Sequence, residues 1–135
     1  MGSQLKVDTI TGVTTAGSVA VTGEGNSTTT NLQLGLSKAW INFDGTGTAA
    51  IRDSANIASI TDNGTGLYSI TFTNAMNNDD YSRTGAVGED GSSGGNRIHG
   101  LRLRYTGYYN ICLYNTSAGL NDCGDICSTA HGDLA

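Results

Sequence analysis

Proline is absent from this chain of 135 residues, so no turn can borrow the fixed φ of a pyrrolidine ring. Gly, Asn and Asp must make the turns instead, and twenty glycines are on hand. Charge is scarce as well. Only 14% of residues are Asp, Glu, Lys or Arg, and the formal net charge is −5. There is no basic stripe, which argues against a nucleic-acid partner. Arg97, Arg102 and Arg104 do cluster, but three arginines beside one strand read as a solvated face. No apolar run reaches the length of about 18 residues that a membrane-spanning helix needs, so no membrane insertion is expected. The opening MGSQLKVDTITG lacks the basic segment and apolar stretch of a secretory signal, so folding in a cytoplasm is expected.

What is present favours strands. Hydrophobic residues make up 37%, and Thr, Ser, Asn and Gly stand where helical proteins carry Leu, Lys and Glu. No stretch follows a helical period. A unit of roughly 100 residues buries only some 60–70% of its unfolded surface, so an isolated copy is marginal and oligomerisation is the usual remedy.

Catalytic patterns are missing. There is no nucleophile elbow, no HExxH and no phosphate-cradling glycine loop leading into a helix. Asp79 and Asp80 are adjacent, so on a strand they face opposite ways and share no substrate. Asp44, Asp53 and Asp62 stand at turns or strand ends, where Asp bonds its own backbone. The reading is a protein that is not an enzyme and needs no cofactor. The three cysteines, Cys112, Cys123 and Cys127, are odd in number and fit a closed disulfide framework poorly. Free thiols are the leading reading, with one late bridge or a metal site as alternatives. In an extended strand Cys127 and His131 would stand about 13 Å apart at ~3.3 Å per residue, too far to grip one ion. His99 or His131 from three symmetric copies could still meet at an axis. No metal ligand is assigned. The glycosylation-like triplets at Asn26, Asn63 and Asn115 read as chance products of Asn/Thr-rich turns.

The chain divides in two. Residues 1–36 contain no aromatic residue and read as an extended N-terminal arm for attachment or oligomerisation. Leu5 and Val7 alternate with Lys6 and Asp8, and Val19 and Val21 repeat the pattern. Leu5, Val7, Ile10, Val19 and Val21 are the candidate docking residues. Residues 22–31 read as a loop or linker, after which Leu32, Leu34 and Leu36 begin the compact part.

Residues 37–135 read as the compact domain. Ala39, Ile41 and Phe43 share one strand face, and Tyr68, Ile70 and Phe72 share another. Short strands are expected at residues 49–53, 57–61 and 81–87. Asn63-Gly64 is a hairpin signal. Leu101, Leu103 and Tyr105 alternate with Arg102 and Arg104, which predicts a half-buried strand. Tyr109, Ile111 and Leu113 form the next, and Ile126, Ser128 and Ala130 the last. The expected fold is all-β, an antiparallel β-sandwich or small barrel of about eight short strands behind the arm. Residues 89–96, EDGSSGGN, hold no apolar residue and must lie at the surface. With the loops spanning 85–97 and 105–109, they offer Asp90, Ser92, Asn96, Arg97 and Tyr108 as candidate surface-recognition residues. The alternation places Tyr105 and Tyr109 inward and leaves Tyr108 outside, where it could stack on a sugar ring or fill an interface.

Residues 38–76, KAWINFDGTGTAAIRDSANIASITDNGTGLYSITFTNAM, carry a resemblance. As a block they resemble the C-terminal knob segment of bacteriophage tail-fibre and related virion appendage proteins, especially those of marine and cyanobacterial phages. LRLRYTG at residues 101–107 is similar to that family's penultimate region, and SQLKVDTITG at residues 3–12 looks like its LKVDTI start. The resemblance implies a non-enzymatic virion component, assembled in the host cytoplasm and usually trimeric, with an arm leading into a β-rich knob. Relatives of that type carry a long shaft and this chain has almost none, so a short fibre or fibre knob is the expectation. Implied partners are its own copies, other virion proteins through the arm, and a host-surface glycan or protein. A capsid or baseplate decoration protein is the second reading, and a carbohydrate-binding, lectin-like β-domain the third.

Overall fold

The computed structural model describes residues 4–12, 19–23, 28–88 and 97–135. The fold is all-β with antiparallel sheets. Among the described residues there are ten strands, more than the expected eight, and the chain divides into two compact units, Met1–Leu36 and Ser37–Ala135.

The first unit contains a small hairpin. β1 (Ala20–Thr22) pairs antiparallel with β2 (Thr29–Asn31), and one helical turn, α1 (Leu32–Gly35), follows. The amide of Gly23 donates to the carbonyl of Thr28 at 2.9 Å, which closes the hairpin. The stretch read as a plain loop therefore contributes a strand, because the Thr-rich segment pairs back on Val21. The Leu32–Gly35 turn belongs to this unit and does not open the compact domain. Residues 4–12 form no strand, so the Leu5–Val7 alternation makes no ladder within the chain.

The second unit holds the other eight strands. They are β3 (Ala39–Asp44), β4 (Ala50–Ala55), β5 (Ile57–Asp62), β6 (Leu67–Phe72), β7 (Ser82–Gly88), β8 (Arg97–Arg104), β9 (Tyr108–Asn115) and β10 (Asp125–His131). One sheet has the order β4-β3-β10-β7 and the other β5-β6-β9-β8. The two pack face to face, an arrangement consistent with a β-sandwich.

Alternation explains the core. In β3 the residues Ala39, Ile41 and Phe43 are buried while Trp40 lies outside. In β6 the buried set is Tyr68, Ile70 and Phe72, and in β10 it is Ile126, Ser128 and Ala130. β9 adds Tyr109, Ile111 and Leu113. The facing sets interlock through aromatic edges. Phe43 meets Tyr68 edge-on at 5.1 Å between centroids, and Phe72 meets Tyr81, just before β7, edge-on at 5.6 Å. Such contacts add about 0.5–1.5 kcal/mol each to the burial itself.

One corner and one hairpin show how the chain turns without proline. Asn56, at φ 56°, carries the chain from β4 in one sheet to β5 in the other. Its side-chain oxygen accepts the Asn74 amide at 2.7 Å, which pins the crossover against the end of β6. The β5–β6 hairpin falls where Asn-Gly places it, but positive φ is taken by Gly64 and Gly66 and not by Asn63. The turn aspartates behave as their positions require: Asp44 accepts the Thr46 amide at 2.8 Å and Asp62 accepts the Gly64 amide at 2.9 Å.

Candidate recognition surface

β8 is the free edge of its sheet and β9 is its inner neighbour. The pairs Ile98↔Tyr114, His99↔Leu113 and Leu101↔Ile111 set the register. Leu113 and Ile111 face the core, so His99 and Leu101 point inward and Ile98 points outward with Tyr114. The alternation predicted for β8 then breaks. A bulge between Leu101 and Arg104 inserts one extra residue and brings Arg104 into register with Tyr109, the core side. Arg104 reaches Asp80 across that end at 3.5 Å.

The bulge corrects the expected half-buried strand. Leu101 is 47% exposed and Leu103 is 61% exposed. Tyr105, expected inside, is 42% exposed and stacks on Tyr108 with centroids 4.6 Å apart. Tyr108 is 38% exposed at the start of β9, outside as expected. Arg97 opens β8 and is half-buried. Residues 85–88, read as part of a loop, belong to β7. Asp90, Ser92 and Asn96 lie outside the described residues. In the first unit, Leu5, Val7, Ile10 and Val21 are exposed, while Val19 is half-buried and its carbonyl accepts the Leu32 amide at 2.8 Å.

Arg83 was missed by sequence reasoning. It projects from β7 toward the interior beside Ala130. Its guanidinium donates to the carbonyls of Arg102 at 2.7 Å, Asn110 at 3.2 Å and Leu103 at 3.4 Å. It also lies over the Tyr109 ring, 5.2 Å from the centroid. The bulge frees carbonyls from the ladder, and Arg83 satisfies them. Burial lowers the Arg83 pKa from its ordinary value, and burial pushes the Tyr109 hydroxyl up to about 12.

The outward face of β8 and β9 carries a second feature with no sequence signal. Tyr114 lies beside Gly100, whose missing side chain leaves the space that Cys112 Sγ and the tyrosine ring occupy. A Cβ there would stand 2.6 Å from Cys112 Sγ and 3.4 Å from Tyr114 Cε2. Ile98, Tyr114, Asn115, Thr116 and Ala118 line a hollow of about 270 Å³. The turn below it is held by Asn115, whose side-chain oxygen accepts the amides of Ser117 and Gly119 at 3.0 Å each. Ala118 takes the left-handed region at φ 59°. A hydrogen bond with Cys112 raises the Tyr114 hydroxyl pKa, and the charge of Arg102 opposes that rise.

Tyr68 is fully buried in the interior. Its hydroxyl lies 2.7 Å from Asp122 Oδ1 and 2.9 Å from the Gly45 carbonyl. Burial and then the Asp122 contact raise its pKa well above the usual range. The three cysteines are free thiols, with Cys127 Sγ accepting Asn42 Nδ2 at 3.1 Å. β10 runs extended through Cys127 to His131, and among the described residues no three His, Cys, Asp or Glu side chains are grouped to hold a metal ion. No helix among them is long and apolar enough to cross a membrane.

Comparison with protein-family models, with curated proteins and with solved structures finds no match to this chain.

Proposed function

We propose that this chain is a structural component of a bacteriophage virion, a trimeric short tail fibre or fibre knob that helps the particle engage a host surface. The observation that carries the reading is the segment at residues 38–76. It bears the resemblance to the fibre knobs, and it also supplies β3 to β6 and the buried Met76. The stretch that looks like a knob is thus the skeleton of the compact unit.

Exposed apolar side chains support the oligomer. Leu101, Leu103, Tyr105 and Tyr108 crowd one end of the β8 edge, and the described part of the first unit exposes Leu5, Val7 and Ile10. Contacts among three copies would remove these groups from water, at about 25 cal/mol per Å². Many weak surface contacts repeated across copies would then add by avidity.

Immunogold electron microscopy of virus particles with antibodies raised against the chain tests the placement. Label at fibre tips is the expected result. Label spread over the capsid shell or the baseplate would replace this reading with a decoration protein, and particles without label would end both.

A further inference from the structure

We propose that acid unlocks one side of the sandwich: a proton taken up by His99 drives its ring off Gly85 and parts β8 from β7, while the strand pairing within each sheet holds. The inference is independent of the attachment reading. β7 and β8 are end strands of different sheets, and among the described residues no ladder joins them. Side chains close this side instead. The His99 ring packs so tightly on Gly85 that a Cβ there would collide with Nε2 and Cε1. Beyond it, the Arg83 guanidinium crosses from β7 to the carbonyls of Arg102 at 2.7 Å and Leu103 at 3.4 Å in β8. Two side-chain contacts are a weaker closure than the ladder on the other flank, where β10 pairs with β7 through seven residues.

The surroundings of His99 suit a neutral imidazole and penalise an imidazolium. Nε2 is buried and has no hydrogen-bond partner among the described residues. A protonated ring would have to donate from that atom as well. The groups packed around the ring supply no counter-charge. From β7, Arg83 projects on the same face as Gly85 and brings a like charge. From β10, Ser128 stands opposite Gly85 and spends its hydroxyl on the Thr84 carbonyl at 3.3 Å. From β9, Leu113 stands opposite His99, and Tyr109 keeps its proton because burial pushes its pKa up to about 12. β8 adds Arg97 and Leu101 on the face of His99, with Arg104 beyond the bulge tied to Asp80. β7, β8 and β9 contain no Asp or Glu. Asp125 of β10 is bound to Asn42 at 2.7 Å and to Arg52 at 3.5 Å on the outer face, and Glu89 and Asp90 lie outside the described residues. Protonating the closed ring thus buries an unpaired charge, and swinging it into water removes that cost. The open seam binds the proton and the closed one does not, so opening grows as pH falls below the ordinary histidine value of 6.5.

The test is an NMR titration of the purified full chain from about pH 7 to about pH 4. The nuclear Overhauser contact between the His99 ring and the Gly85 α-protons should be strong at neutral pH. It should vanish at the midpoint where the ring takes its proton, which lies below 6.5. Cross-strand contacts of the β3–β10 and β6–β9 pairs should survive that step. His99→Gln, uncharged throughout, should hold the Gly85 resonances still over the same range. His131→Gln, which removes the histidine of β10, should leave the parental transition in place. The proposal is overturned if the ring takes no proton in this range, or stays on Gly85 once protonated. It is equally overturned if the contacts within both sheets disappear at the same step, since the domain then melts as a whole. A His99→Gln chain that keeps the pH-dependent shift overturns it too. Should that variant fail to fold, the readings made on the parent decide.

Discussion

The imidazole of His99 rests directly on the backbone of Gly85. His99 belongs to the β5-β6-β9-β8 sheet and Gly85 to the β4-β3-β10-β7 sheet, so this contact joins the two sheets along one side. A Cβ at residue 85 would lie 2.8 Å from the Cys127 carbonyl oxygen and closer still to the ring. Gly85→Ala should therefore cost about 1–3 kcal/mol, the usual penalty for forcing atoms into a packed interior. The denaturant midpoint should fall at constant slope. An unchanged midpoint would mean that the seam is looser than this geometry.

The same seam predicts a pH dependence. Burial first, and then the charge of Arg83, lower the His99 pKa below its ordinary 6.5. The folded state thus prefers the neutral ring, and the unfolded chain binds the extra proton. The stabilisation is complete above about pH 6.5 and is lost as pH falls through that value toward the lower folded pKa. His99→Gln should flatten the melting temperature between about pH 7 and pH 5 relative to the parent. Parallel curves for the two proteins would rule out His99 as the source.

Arg83 gives a third prediction. Its three carbonyl contacts belong to the Arg102–Leu103 bulge and to Asn110. Arg83→Ala leaves those acceptors without their donor and should cost about 1–3 kcal/mol. Arg83→Lys should recover only part, because an ammonium cannot fork to several carbonyls as a planar guanidinium does. Hydrogen exchange should quicken first at the β8 amides. Uniform quickening across both sheets would contradict a local role.

The regular strands were legible in the sequence and the bulged edge was not. Ile41 and Phe43, like Ile70 and Phe72, alternate without interruption, and period two is enough to place them inside. Leu101 and Leu103 show the same period, yet a single extra residue in the pairing sends Leu103 and Tyr105 outward. Nothing in the letters marks that insertion. Arg83 was hidden for a related reason: an arginine on a strand reads as solvent-facing, and its inward role depends on carbonyls freed elsewhere. The hollow beside Tyr114 depends on Gly100 lying opposite Cys112, a cross-strand relationship that no local pattern carries. The outward position of Tyr108 was legible because a turn glycine precedes it and Tyr109 fills the core.

Leu103 separates assembly from folding. It is largely exposed, so Leu103→Asp should change the stability of the compact unit by no more than about 0.5 kcal/mol. In the trimer reading the same change places a charge at a buried contact and should drive the chain toward monomer in sedimentation velocity. A variant that keeps the parental sedimentation coefficient would remove this end of β8 from the interface.

The most direct test of the central claim is the solution mass of the purified full-length chain by multi-angle light scattering. The account predicts a discrete particle of three chains of 13.9 kDa each, stable on dilution. A folded, monodisperse species at the mass of one chain would contradict it.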